Sequence, residues 1–272
     1  MKYIYKSIKN DEGTILRGVI NTPDDFDENK KYKTAIFYHG FSGDRNGSCW
    51  FRRLNSDYLT DKGYVCIRFD FTGSGESDGK FYDMTLTREL DEARLIYDYS
   101  KNLDFVDTSN IFIIGHSMGG VIASILGHEL KAKKMCLLAP ASDMNNPKLL
   151  QKTSLNLKDY VKDDGQSDLT DINTVKKLVN IEDMDVGGVR IHKDFLFDMM
   201  EYDIYKEASK YENPVFIVRG DLDDTVLDES NRKLNQTFKN STYEVLENTD
   251  HSFTNYDQRL NLFSKMYDFF EK

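Results

Sequence analysis

The residue types that acyl transfer requires occur together at Gly115-His116-Ser117-Met118-Gly119. A serine between flanking glycines is the pattern of a nucleophile presented on a sharp strand-to-helix turn, where the two elements come too close for side chains. The same G-x-S-x-G spacing recurs at Gly75-Glu76-Ser77-Asp78-Gly79, so the motif alone does not choose between the serines. Context does. The apolar run Ile111–Ile114 ends at Gly115, and Gly119–Leu126 is small and apolar, as an incoming strand and a departing helix require. Ser77 lies in FTGSGESDGKF with no apolar helix beside it, which reads as a Gly-rich loop without either phosphate-loop spacing. The plainer alternative for Ser117 is an ordinary helix N-cap.

A serine hydroxyl is a weak nucleophile until a base takes its proton. The chain has five histidines. His116 neighbours Ser117 on the turn and should point elsewhere; His39 ends an apolar run; His128 lies on the helix after the turn; His192 lies in a polar insertion. His251, in ENTDHSF, sits in a polar loop between the last strand and the final helix and is the expected base; the alternative is a surface loop histidine. The histidine needs a carboxylate to fix its tautomer and stabilise the imidazolium. GDLDDTVLDES follows the apolar run PVFIVR and offers Asp221, Asp223 and Asp224; Asp223 is the expected acid and Asp224 the runner-up. The remaining acids read as a solvated cluster capping a helix after Asp228. The oxyanion should meet two backbone N–H groups, those of Met118 and of Phe41 in HGFSG. Gly40 lets the chain turn there, and a plain strand-end turn is the alternative for Gly40 and Gly43.

These segments need a frame. Tyr3–Ile8 and Thr14–Thr22 flank the turn signal Asn10-Asp11-Glu12-Gly13 and predict a hairpin. Thr34–His39, Tyr64–Asp70, Asn110–Ile114, Lys134–Ala139, Pro214–Arg219 and Thr242–Leu246 are runs apolar at nearly every position, as in strands of a parallel sheet covered on both faces. Leu86, Leu90, Ala93 and Tyr97 fall on one helix face, and Leu260, Phe263, Tyr267 and Phe270 are spaced to do the same near the C-terminus. Strands alternating with helices predict a doubly wound sheet. Residues 141–206 break this rhythm and are rich in Asp, Asn and Lys, which predicts a cap over the site in preference to an insertion without a role. The expected organisation is a core of residues 1–140 and 207–272 with a cap at 141–206.

With 272 residues, 39% of them hydrophobic, the chain can bury one large core. Its net charge of −10 argues against a nucleic-acid partner, because phosphate binding needs clustered Lys and Arg. Cys49, Cys66 and Cys136 include no C-x-x-C pair, so neither a zinc site nor a disulfide framework is expected, and Cys66 and Cys136 should be buried thiols. The opening MKYIYKSIKNDEG has no signal-peptide core and no stretch reaches membrane-span length, so a cytoplasmic protein is expected. Oligomeric state is not legible.

FYHGFSG, RFDFTGSGESDG, FIIGHSMGG, VRGDLDDTV and TDHSF, in that order, resemble the α/β-hydrolase superfamily across nearly the whole chain, with a set similar to bacterial feruloyl (cinnamoyl) esterases. The resemblance implies an α/β-hydrolase fold, a mostly parallel central sheet with helices on both faces and a cap after the strand that follows the elbow helix. It implies a serine esterase acting on hydroxycinnamate esters, with Ser117, Asp223 and His251 as triad, Phe41 and Met118 as oxyanion donors, a small-molecule ester substrate, and no metal or cofactor. Met118 stands where many such esterases have Gln and is similar to monoacylglycerol lipases, which keeps a short-chain acyl or monoacylglycerol esterase open. A non-catalytic hydrolase-fold protein binding a partner through the insertion is the alternative of another class, and peptidase or thioesterase activity is compatible with the same fold.

Overall fold

The apolar runs assemble into one sheet. The computed structural model describes residues 1–146, 166–179 and 181–272. Strands β1 (Lys2–Lys9) and β2 (Ile15–Thr22) form the expected hairpin, with Lys2 opposite Thr22 and Lys9 opposite Ile15. β3 (Tyr32–Tyr38), β4 (Val65–Phe69), β5 (Val106–His116), β6 (Lys134–Leu138), β9 (Val215–Gly220) and β10 (Ser241–Leu246) complete an eight-stranded sheet of spatial order β1-β2-β4-β3-β5-β6-β9-β10. Within this sheet only the β1–β2 and β2–β4 pairings are antiparallel.

Both faces of the sheet are dry, which is why the runs show no alternation. Along β3, Ile36 and Tyr38 enter one apolar cluster and Ala35 and Phe37 the other. The first cluster is closed by helices α2 (Leu86–Lys101) and α3 (Met118–Leu130), the second by α1 (Phe51–Asp61) and α8 (Tyr256–Glu271). Leu86, Leu90, Ala93 and Tyr97 of α2 are all buried, as their spacing requires, and Thr85 caps the helix by accepting the Arg88 N–H. Cys66 and Cys136 are buried free thiols, and Cys49 is exposed.

Two expectations need correction. β5 begins at Val106, four residues before the expected Asn110. Its start carries Asp107 and exposed Thr108 and Ser109, because Val106 pairs with Tyr32 and Ile111 with Thr34, so the residues between them bulge out of the ladder. On α8 the buried stripe is Arg259, Leu262, Phe263, Met266 and Phe270, while Leu260 is 42% exposed. The cause is Arg259, a residue type that reads as surface. Its guanidinium turns inward, donates to the carbonyls of Phe253, Cys49 and Ser48, and lies over the Phe51 ring.

In the inserted region, residues 147–165 and 180 lie outside the described residues, so part of the expected cap does too. The described part holds α4 (Ile172–Leu178), a two-stranded ribbon of β7 (Asp183–Asp185) and β8 (Arg190–His192), α5 (Asp194–Met200) and α6 (Ile204–Ala208). Val175, Met184, Ile191, Phe195, Leu196 and Met199 join the α2–α3 apolar cluster. α7 (Asp228–Thr237) follows β9. Among the described residues no helix is long and apolar enough to cross a membrane.

Met266→Ala should cost about 2–5 kcal/mol, the scale of a buried Met truncated to a cavity, whereas Leu260→Ala should stay within about 0.5 kcal/mol. Urea unfolding midpoints of the two variants check this; equal losses would restore the face expected from the sequence.

Candidate active site

β5 runs straight into the turn that carries Ser117, and α3 leaves it at once. The backbone at Ser117 has φ 55° and ψ −120°, a region L-residues avoid, and its side chain makes no capping bond to α3. An N-cap role is therefore not what this serine performs. Packing enforces the strain. A Cβ on Gly115 would lie 2.3 Å from the Gly119 carbonyl oxygen, and one on Gly119 would lie 2.2 Å from that of Tyr38. The Ser117 N–H donates to the Leu138 carbonyl across the sheet (2.8 Å), which fixes the turn from below.

His251 Nε2 is 3.0 Å from Ser117 Oγ, and His251 Nδ1 is 2.9 Å from Asp223 Oδ2. A carboxylate only accepts, so Nδ1 carries the proton and Nε2 presents its lone pair to the serine hydroxyl. Asp223 has a fully buried side chain, and its other oxygen accepts the N–H groups of Thr225 and Val226, both at 2.9 Å. Asp224 is exposed and among the described residues accepts a hydrogen bond from the Thr225 hydroxyl alone (3.3 Å), while Asp221 accepts the Thr249 N–H at 3.1 Å. The loops bearing the acid and the histidine are locked together: Leu222 N–H donates to the Thr249 carbonyl, and Gly220 admits that carbonyl where a Cβ would be 2.0 Å away. Ser77 sits in a different environment. Its hydroxyl donates to the Asp70 carbonyl (2.6 Å) and accepts the Arg17 N–H (2.9 Å), tying a loop to β2 with no imidazole in contact.

Four further side chains hold this assembly; the sequence reading set His39 and His116 aside as bases and gave none of the four a role. His116 does point away from Ser117. Arg52 Nη1 donates to its Nδ1 (3.1 Å), so Nε2 carries the proton and donates to the His251 carbonyl (2.9 Å). His39 Nε2 accepts the Phe71 N–H (3.0 Å), so Nδ1–H donates to the Gly40 carbonyl (2.9 Å), beside Phe41. Burial and the Arg52 charge lower the His39 pKa to about 4. Burial and the neighbouring cations push His116 well below the usual histidine range. Arg219, at the end of β9, donates to the carbonyls of Gly220, Val226 and Asp223 and so braces the acid loop. The sequence signals among these were His39 and Arg219, each a polar residue closing an apolar run.

Among the described residues neither the Phe41 nor the Met118 N–H has a protein acceptor. The Met118 side chain is buried, while the Phe41 ring packs against Phe81 (5.2 Å) and against Phe195 of α5 (5.1 Å). A cavity of about 610 Å³ opens above Ser117 and His251, walled by the Gly40–Asp44 loop, Met144, Val186, Gly187 and Val226. Among the described residues no group of three or more His, Cys, Asp or Glu side chains is placed to hold a metal ion. The arrangement suits proton transfer from a serine hydroxyl to a positioned imidazole at the floor of a partly apolar cavity.

This sheet order, with its strand–turn–helix site, defines an α/β hydrolase. The chain belongs to the family described as serine aminopeptidase, S33, whose model matches residues 31–258. The structure is similar to that of ferulic acid bound to Est1E from Butyrivibrio proteoclasticus, with a TM-score of 0.79 and 24% identity over 100% of both chains, a likeness of fold. In sequence it is 32% identical over 133 residues to a probable dipeptidyl-peptidase 5 of Aspergillus niger, covering 46% of this chain and 18% of that one. It is 27% identical over 149 residues to a putative esterase/lipase 2 of Mycoplasma genitalium, covering 50% and 51%. The chain thus spans about a fifth of the length of the fungal relative.

His39 and His116 are neutral when folded, whereas an unfolded histidine titrates near 6.5. Between pH 6.5 and, for His39, about 4, the unfolded chain binds more protons, so stability is full above 6.5 and is lost on acidification. Each should contribute a slope of about 1.4 kcal/mol per pH unit in that window. Urea midpoints that do not fall between pH about 7 and about 5 would contradict it.

Proposed function

We propose that the protein is a serine carboxylic ester hydrolase that works through an acyl-enzyme, with hydroxycinnamate (feruloyl or cinnamoyl) esters as its substrates. The observation that carries the reading is the hydrogen-bonded chain Ser117–His251–Asp223 at the floor of the cavity. Ser117 attacks the ester carbonyl as His251 takes its proton, and the backbone N–H groups of Phe41 and Met118 receive the oxyanion. His251 returns the proton to the leaving alcohol. Water then attacks the acyl-enzyme with His251 again the base, and Asp223 stabilises the imidazolium in both steps. Residues 141–206 act as the cap and set acyl or aromatic specificity, and the Phe41–Phe195 contact is where that cap meets the proposed oxyanion loop. The ferulic acid held by the Butyrivibrio proteoclasticus protein of the same fold supports the substrate class.

A peptidase is the second reading, favoured by the family's description and by the fungal dipeptidyl-peptidase relatives. A short-chain or monoacylglycerol esterase is the third, favoured by the Mycoplasma genitalium relative. A panel of methyl ferulate, 4-nitrophenyl acetate, a monoacylglycerol and a dipeptidyl 4-nitroanilide separates them. Methyl ferulate is expected to give the highest kcat/KM, and a higher value for any of the others replaces the substrate proposed here.

Ser117→Ala should lower turnover by about a million-fold and abolish labelling by a fluorophosphonate, the scale of losing a nucleophile from a triad. Ser77→Ala should turn over at close to the native rate. Asp223→Asn should lower kcat by about ten-thousand-fold through the wrong tautomer of His251, with Asp224→Asn far milder. A folded Ser117→Ala protein that still labels and turns over would move the nucleophile elsewhere.

A further inference from the structure

Among the described residues Arg52 makes no ion pair with a carboxylate, and Asp44 and Asp70 act on it only at longer range. It is only 5% exposed, yet it lines the cavity that holds Ser117 and His251. Burying a guanidinium without a counter-charge is costly, so such a group is normally paired. Asp70, a fully buried carboxylate of the loop system, is taken by Arg45. Asp44 turns its carboxylate back on its own loop, where Oδ1 accepts the N–H groups of Asn46 (2.6 Å) and Gly47 (2.8 Å). Arg52 receives from that residue only the main-chain oxygen, at 2.7 Å from Nε. Nη1 is spent on His116. Among the described residues Nη2 has no acceptor, and it is not among the polar atoms sealed in the core.

The guanidinium is also held rigid. It lies between Gly43 and Gly47: a Cβ on Gly43 would come 2.9 Å from Nη2, and one on Gly47 would come 3.1 Å from Cζ. Both positions are main chain stripped of side chain around one planar cation. Rigid guanidiniums with free N–H groups suit carboxylates, and holding one in place avoids the entropy loss of ordering a mobile side chain on binding. Arg52 is one imidazole away from the base, because His116 bonds Arg52 on one side and the His251 carbonyl on the other.

We propose that the end of the cavity beside Arg52 is a carboxylate-binding subsite, so that the preferred ester carries an anionic group on its acyl or its alcohol part. This rests on the ester-hydrolase reading above and narrows its substrate class. Small esters that differ only in the charge test it in two pairs. 4-Nitrophenyl hydrogen glutarate against 4-nitrophenyl valerate places the charge on the acyl part, and acetoxyacetate against acetoxyacetamide places it on the alcohol. In at least one pair the acid should have the higher kcat/KM by about tenfold or more, the scale of one charge-assisted hydrogen bond. Arg52→Gln should bring that ratio close to unity, and Arg52→Lys, which keeps the charge without the planar fork, should leave part of it. Should Arg52→Gln fail to fold, the native ratios and the drop in Arg52→Lys decide. A neutral ester equal to or better than its acid in both pairs overturns the subsite. If a fluorophosphonate still labels Ser117 in that case, the ester-hydrolase reading survives alone; absence of labelling and of any turnover overturns both. A readout independent of catalysis is the single tryptophan, Trp50, two residues from Arg52. In the Ser117→Ala protein, glutarate should change its fluorescence saturably and glutaramide should not.

Discussion

Around residue 117 there is no spare volume, and the site follows from that. β5, α3, the end of β3 and the chain after β6 converge so closely that Gly115, Gly119 and Gly120 would each place a Cβ within 2.8 Å of neighbouring atoms. Gly40 is under the same constraint from the other side, where a Cβ would lie 2.8 Å from Ser117 Cβ. With main chain packed against main chain on every side, Ser117 has no route back to an ordinary φ, and its hydroxyl is held toward the cavity. A strain of roughly 1–3 kcal/mol is sustained by a parallel sheet whose two apolar faces fix the strand ends. The same closeness fixes the loop after β3: Gly40 can approach the turn only because it has no side chain of its own to meet the Ser117 Cβ and the His116 carbonyl.

The polar scaffold behind this turn is built from groups whose protonation is forced by their partners. Each imaginable tautomer of His39 and His116 but one would set donor against donor, since Phe71 N–H and Arg52 offer only protons. In a dry interior a mismatched donor is costly, so the two rings act as rigid struts. One holds the Gly40 carbonyl and the other the His251 carbonyl. Arg219 does the same for the acid loop through three carbonyls. Ser117, His251 and Asp223 come from three separate loops, and their separations depend on these struts as much as on the strands.

What was legible in the sequence is what has a local signature. Each of the eight expected strands overlaps an observed strand of the main sheet, because two covered faces leave an uninterrupted apolar run. Ser117, Asp223 and His251, which lie within hydrogen-bond reach of one another, each stand in a segment whose neighbours announce a turn. The struts have no such mark. Arg52 is one of two adjacent arginines on a helix, and nothing in FRRLNSDYL says which of them turns inward. Arg259 misled the reading of α8 for the same reason: a charged residue taken for surface was buried by carbonyls far away in sequence. The second G-x-S-x-G stretch shows the limit of spacing alone. Its Gly75 is needed because a Cβ would strike the Asp70 carboxylate, which is bound by Arg45 and by backbone N–H groups, so those glycines serve a salt-bridged loop and no nucleophile.

Electrostatics at Arg52 have to be weighed against a chain of net charge −10. At physiological ionic strength, fields from exposed carboxylates decay over about 8 Å, so most of that charge is screened before it reaches the cavity. A guanidinium and an anion about 4 Å apart attract by about 4 kcal/mol at an effective dielectric of about 20, with less screening than at the surface because Arg52 itself is buried. The Asp44 carboxylate opposes this at short range, but its accepting capacity is partly committed to Asn46 and Gly47. The positive end of the cavity is therefore set by one side chain and its geometry. Burial lowers the Arg52 pKa to about 10, which leaves it charged through the neutral range. A neutral substrate at this end would leave Nη2 without an acceptor among the described residues, and an anionic one would supply that acceptor.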